Sequence, residues 1–201
     1  MVKKSPASQA IDSIIQESVS PLLKVEGFHK TARSFCRPQD DFIQVINFQS
    51  SVWNTPSSGQ FTVNLNIVFP FYHQMLTNTP YPKNPGSAAP IFSRRIGLLM
   101  NERKDHWWVV TTDSDLSLIG REVAETMSTI GVPFLNEASS MDFLLTNLKM
   151  KNPPEGLAKA ILLCYFDRKK EAEAIFRELE TKCTMTGFKS TISKIKSNLG
   201  L

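Results

Sequence analysis

The apolar residues of this chain change their period twice, and no other feature restricts the fold as much. Near the N-terminus Ile11, Ile14, Ile15, Val19, Leu22 and Leu23 recur at three-and-four spacing, which places them on one helical face. Gly27 supplies a stop, and Pro21, lying inside the pattern, predicts a kink or a division. From Gly27 the period falls to two. Phe28–Arg37, Phe42–Ser50 and Gln60–Phe69 read as three strands rich in Phe, Val, Ile and Thr. Pro38-Gln39-Asp40-Asp41 and the segment from Asn54 to Gly59 carry turn chemistry between them. Two further strands, Ser93–Met100 and His106–Thr112, are expected around the charged turn Asn101-Glu102-Arg103-Lys104-Asp105. Beyond Thr112 the helical period returns: Leu116, Ile119, Val123, Met127 and Ile130 form a stripe that Gly131 should end, with Pro133 just after it. A short helix near Ser140–Met150 follows, and then helices over Leu157–Phe166, Lys169–Cys183 and Phe188–Leu199.

The order helix, strands, helices, without βαβ alternation, predicts an α+β fold: an N-terminal helix, a mainly antiparallel sheet of about five strands, and C-terminal helices packed on it. Asn152-Pro153-Pro154 is the best boundary in the chain. It divides an α+β domain, residues 1–151, from a helical extension, residues 152–201, expected to pack on the main domain. At 201 residues the chain is long enough for a core without metal or disulfide support. Three widely spaced cysteines, Cys36, Cys164 and Cys183, argue for a reducing compartment rather than a disulfide framework. No apolar run reaches the roughly 18 residues of a membrane span, and the N-terminus lacks the apolar stretch of a secretory signal.

The net charge of +4 invites a nucleic-acid reading, so its distribution matters. The acid-free basic run Lys182, Lys189, Lys194 and Lys196 reads as a solubilising helix face. The opposite feature is rarer: from Phe42 to Pro82 there is no Asp, Glu, Lys or Arg, in a chain that is 21% charged. Such a stretch is either buried or forms a neutral polar surface. Within it Phe61, Val63, Leu65 and Ile67 take one face of a strand, and Thr62, Asn64 and Asn66 take the other. From Pro70 to Pro90 the density of proline predicts a long loop beside that face.

Reactive chemistry is sparsely encoded. His29, His73 and His106 lack metal-ligand spacing, so neither metal nor cofactor is expected. There is no nucleophile elbow and no phosphate-cradling glycine loop. Cys36 beside Arg37 reads as a strand cysteine, and Asp113-Ser114-Asp115 reads as a helix cap rather than a cation site. Trp107-Trp108 on a strand must point to opposite faces. The candidate ligand-binding residues are therefore Gln49, Trp53, Asn64, Asn66, Arg95, Trp107 and Trp108, whose amides and aromatic rings suit an extended peptide, a sugar or a base edge.

Five ordered motifs carry a family likeness: Gly27-Phe28 with Phe35; Gln44-Val45-Ile46-Asn47-Phe48-Gln49; Gly59-Gln60-Phe61-Thr62-Val63-Asn64-Leu65; Arg95-Ile96-Gly97; and Trp107-Trp108. Over roughly residues 8–140 the chain resembles the bacterial domain-of-unknown-function family 4304. The resemblance implies a bacterial, cytoplasmic, non-membrane protein of α+β build, and it transfers no activity. The segment from Ala158 to Phe176 is similar to a single tetratricopeptide-like hairpin, too short to form a solenoid. The expectation is a non-enzymatic binding protein, a neutraliser or adaptor whose partner is another protein or peptide. One rival is an enzyme assembled from Asp113, Asp115, His106 and Arg95. The other is an RNA- or DNA-binding protein using Arg33, Arg37, Arg94, Arg95 and the lysine tail.

Overall fold

A computed structural model describes residues 4–201. Helix α1 runs over Pro6–Ile14, passes through a π-helical turn at Ile15–Val19, and continues over Ser20–Val25. The cause of the π turn is local. Pro21 has no N–H to give the carbonyl of Glu17, and its ring crowds that carbonyl, so the helix widens before it. Gly27, at φ 83°, ends the helix in a Schellman pattern, with Phe28 N–H donating to the Leu23 carbonyl at 2.8 Å.

Six strands follow: β1 (His29–Thr31), β2 (Ser34–Gln39), β3 (Phe42–Ser50), β4 (Ser58–Val68), β5 (Phe92–Arg95) and β6 (Trp108–Thr111). All pairs are antiparallel, in the order β1-β2-β3-β4-β5, with β6 also on β4. The expected first strand is in fact a hairpin, because Ala32 turns the chain at φ 54°. Pro38 is accommodated inside β2 because β1 pairs only as far as Cys36, so no neighbour requires the missing N–H.

The last two strands are two halves of one edge. Asn64 pairs with Arg95 at the end of β5, and Phe61 pairs with Trp108 at the start of β6. Between them residues 96–107 leave the sheet, starting with a 3₁₀ turn at Ile96–Leu98, which is why the strand expected over Ser93–Met100 stops early. Gly97 makes this excursion possible: a Cβ there would lie 2.2 Å from the Lys104 carbonyl oxygen.

The segment expected to be a loop contains helix α2 (Pro70–Thr77). Pro70 stands in its first turn, where no N–H is needed, and Asn78 closes it at φ 55°. Helix α3 repeats the device of α1. Leu116–Thr126 enters a π turn, Met127–Gly131, and leaves it as Val132–Ala138, so Gly131 does not end the helix and Pro133 sits in a renewed first turn. Gly120 lets α3 cross the π turn of α1, since a Cβ there would meet Ser18 Oγ at 2.1 Å. Then come α4 (Met141–Asn147), α5 (Pro153–Tyr165), α6 (Lys169–Lys182) and α7 (Thr186–Leu199). Helix α5 begins at the proline pair itself, earlier than the apolar pattern indicated.

The core lies on one side of the sheet. Phe35, Ile46, Phe48, Phe61, Val63, Leu65 and Ile67 join Ile11, Ile14, Ile15 and Leu23 of α1 and Val123 and Met127 of α3. Buried residues of the last three helices, among them Ile161, Phe176 and Ile192, belong to the same cluster. Gln44 is the polar exception on this face: its amide nitrogen donates to the Leu135 carbonyl and to Ser139 Oγ, both at 2.9 Å, and its oxygen accepts from Arg37 Nε at 2.7 Å. Among the described residues no helix is long and apolar enough to cross a membrane.

Candidate functional site

The opposite side of the sheet divides into two halves. One half is roofed by the proline-rich segment after α2. Cys36, Val45 and Val68 form a small second cluster there with Ile43, Tyr81 and Ala88. The segment is fastened by buried His73, whose Nδ1 accepts the Ala89 backbone N–H at 2.9 Å. That bond requires a neutral Nδ1, and Thr77 Oγ1 lies 3.4 Å from Nε2. Burial pushes the Cys36 thiol up, against a hydrogen bond from the Gly86 backbone, and carries the Tyr81 hydroxyl up to about 12. A thiol held protonated under a roof is a poor nucleophile.

The other half is more open, with Gln49 and Gln60 exposed. Here the register brings Gln49 opposite Thr62, Asn47 opposite Asn64, and Asn64 opposite Arg95. The Asn64 amide nitrogen donates to Gln49 Oε1 at 2.7 Å, linking β4 to β3. On the other flank Asp105, from the excursion, holds two groups with one oxygen: Arg95 Nη1 at 2.7 Å and the Trp107 indole N–H at 2.9 Å. The Arg95 guanidinium also stands 5.3 Å from the centre of the Trp107 ring. The result is a flat patch of amides bounded by an Arg95–Asp105–Trp107 clasp. Arg95 and Asp105 neutralise each other, so the patch is polar without net charge. Beside it, residues Gly97, Met100, Glu102, Asp105, His106 and Ile130 line an open cleft of about 380 Å³.

Thr62 is the anomaly of this patch. It is 0% exposed, although Gln49 and Gln60 around it are exposed, and its Oγ1 has no hydrogen-bond partner among the described residues.

The candidates read from the sequence separate accordingly. Gln49, Asn64, Arg95 and Trp107 come together in the patch. Asn66 lies one step along β4, accepting from Ser93 Oγ at 2.7 Å. Trp53 is 88% exposed on the connection between β3 and β4. Trp108 faces the core, stacked on Phe61 at 5.5 Å, with its indole N–H donating to Glu122 at 3.1 Å. Asp105 was not anticipated: it stands in what reads as an ordinary charged turn, and only the detour from β5 to β6 brings it over Arg95.

The dispersed acids and bases do not share a cleft. Asp115 caps α3, accepting the N–H groups of Ser117 and Leu118 at 3.0 Å, while His106 and Arg95 stand at the other end of β6. Among the described residues no group of three or more His, Cys, Asp or Glu is placed to hold a metal ion. The arginines mostly serve the fold. Arg33 bonds Asp12 at 2.6 Å and the Ser8 carbonyl at 2.8 Å; Arg37 bonds Gln44 and the Glu26 carbonyl and lies 4.4 Å over the Phe28 ring. Lys182 and Lys196 pair with Glu178 and Glu180.

The signature of a family described as Domain of unknown function (DUF4304) matches residues 19–137. That span contains the whole sheet, the strap, the clasp and all but the last residue of α3. No curated protein and no solved structure matches the chain.

Proposed function

This chain belongs to the DUF4304 family, and on that premise we propose that it is a non-enzymatic binding protein whose partner, another protein, docks on the more open half of the sheet. The observation that carries this reading is the neutral patch of the Gln49 and Asn64 amides and the Thr62 hydroxyl beside the Arg95–Asp105–Trp107 clasp. A polar sheet face with an aromatic at its margin offers directional hydrogen bonds and one large contact surface, the composition of a protein-recognition site. An enzyme reading is weaker because Cys36 is roofed and its thiol raised, and because the acids and bases it would use sit at two ends of β6. A nucleic-acid reading is weaker because Arg33, Arg37 and Arg95 are engaged within the molecule.

The test is capture of partners from a bacterial lysate at 50 and 200 mM salt. A partner held by amides and an indole should survive that change with less than about a threefold loss. A protein neutralising six to ten phosphates loses roughly 10³–10⁵ in affinity over the same interval. The variant Asn64→Lys, which puts a charge into the patch, should abolish capture. The paired variants Lys189→Glu and Lys194→Glu should leave it intact. Steep salt dependence with sensitivity confined to the lysine tail would transfer the assignment to nucleic acid.

A further inference from the structure

The patch contains one group that the free protein leaves without a partner. Thr62 sits in the middle of β4 with its hydroxyl buried and unbonded among the described residues. A buried hydroxyl without a partner is destabilising, so its presence in an otherwise well-bonded sheet calls for a cause. Its surroundings supply one. The pair Phe61–Trp108, continued by one residue, sets Trp107 beside Thr62 on the margin where β5 has ended and β6 has not begun. Gln49 stands on its other side. The cover is held from one flank: Asp105 and Arg95 form a partly exposed ion pair, and the indole is fixed by its hydrogen bond to Asp105 and by the Arg95 guanidinium over its ring.

We infer that Thr62, Gln49 and Asn64 form the floor of a recognition site for an extended, uncharged peptide segment, and that Trp107 covers this floor until the segment displaces it. The inference rests on the docking-face reading above and adds the chemistry of what is recognised. A hydroxyl and two carboxamides present both donors and acceptors and no charge, which matches the alternating N–H and C=O groups of an extended backbone or the amides of Asn and Gln side chains. Displacement releases the indole from Asp105 to pack on the segment, and the Thr62 hydroxyl gains the partner it lacks. The stability lost at Thr62 in the free protein is thereby recovered in the complex.

The experiment uses the full chain, isotopically labelled, and a blocked pentapeptide of sequence Gly-Asn-Gln-Asn-Gly at millimolar concentration, with maltotriose as a second probe. The peptide should shift the Trp107 indole N–H resonance and the side-chain amide resonances of Gln49 and Asn64. Thr62→Val, which removes the hydroxyl at nearly constant volume, should raise Tm by about 2–4 °C while weakening peptide binding about three- to tenfold. Thr62→Ser should keep the binding. A purely structural threonine does not produce this opposition between stability and affinity. If the peptide moves these resonances and Thr62→Val binds it equally well, the floor assignment is overturned while the docking face stands. If maltotriose moves them and the peptide does not, the peptide chemistry is overturned. If neither probe moves any of them, the docking face falls together with the inference.

Discussion

The two faces of β4 are one residue apart in sequence and opposite in physical role. Phe61, Val63, Leu65 and Ile67 are buried against α1 and α3, in surroundings that are apolar apart from Gln44. Thr62, Asn64 and Asn66 alternate with them and meet amides, a hydroxyl and one ion pair. The first face holds the molecule together by area removed from water. The second carries amides and a hydroxyl beside one ion pair whose charges offset each other. A face that is neither hydrophobic nor charged is suited to a partner that must be recognised by hydrogen-bond direction.

That contrast makes stability and partner binding separable. The largest stability loss belongs to the apolar face: Phe61→Ala, at a fully buried ring stacked on Trp108, should cost about 3–5 kcal/mol in denaturant unfolding. Next is the network that ties α1 to the β1–β2 hairpin. Burial by itself raises the Asp12 carboxyl, but hydrogen bonds from Arg33 and Lys4 outweigh it and hold the carboxyl below its ordinary value. A depressed folded value means that this contribution is complete above about pH 4 and disappears as pH falls through the folded value. Asp12→Asn should therefore cost about 1.5–3 kcal/mol at pH 7 and flatten the acid limb of the stability profile, read from thermal melts between pH 7 and pH 2.

The strap over the other half of the polar face gives an intermediate case. His73→Ala removes the acceptor of the Ala89 N–H and should cost about 1–3 kcal/mol. Its more specific signature is faster labelling of Cys36 by a thiol reagent, with labelling of Cys164 unchanged. The smallest effect belongs to the patch. Asn64→Ala should stay within about 0.5 kcal/mol of the parent in denaturant unfolding while reducing partner capture several-fold. A large destabilisation there would make the amide pair structural and erase the contrast.

Much of this arrangement was legible in the sequence because period and punctuation agree. The alternation of β4, the stop at Gly27 and the opposed Trp107 and Trp108 follow from side-chain direction and glycine conformation alone. The hairpin at Ala32 was not legible, because no Gly, Asn or Pro marks a turn whose positive φ is carried by an alanine. Helix α2 was obscured by its own start signal, since a proline in a first turn and a proline in a loop look alike without the fold. The two π turns were hinted at by Pro21 and Pro133, each of which lies just beyond the turn that widens. Asp105 was missed for a topological reason. Its partner Arg95 lies ten residues away across a detour that only Gly97 permits, and nothing local distinguishes it from its charged neighbours.

Under the function proposed above, the polar half of the sheet beside the clasp is the working surface. Hydroxyl-radical footprinting of the full chain, alone and with its captured partner, tests it directly. Protection should concentrate at Trp107 and on the β4 segment carrying Asn64, with Lys189, Lys194 and the rest of α7 labelled as before. Protection over α7 with Trp107 as reactive as in the free protein would contradict it.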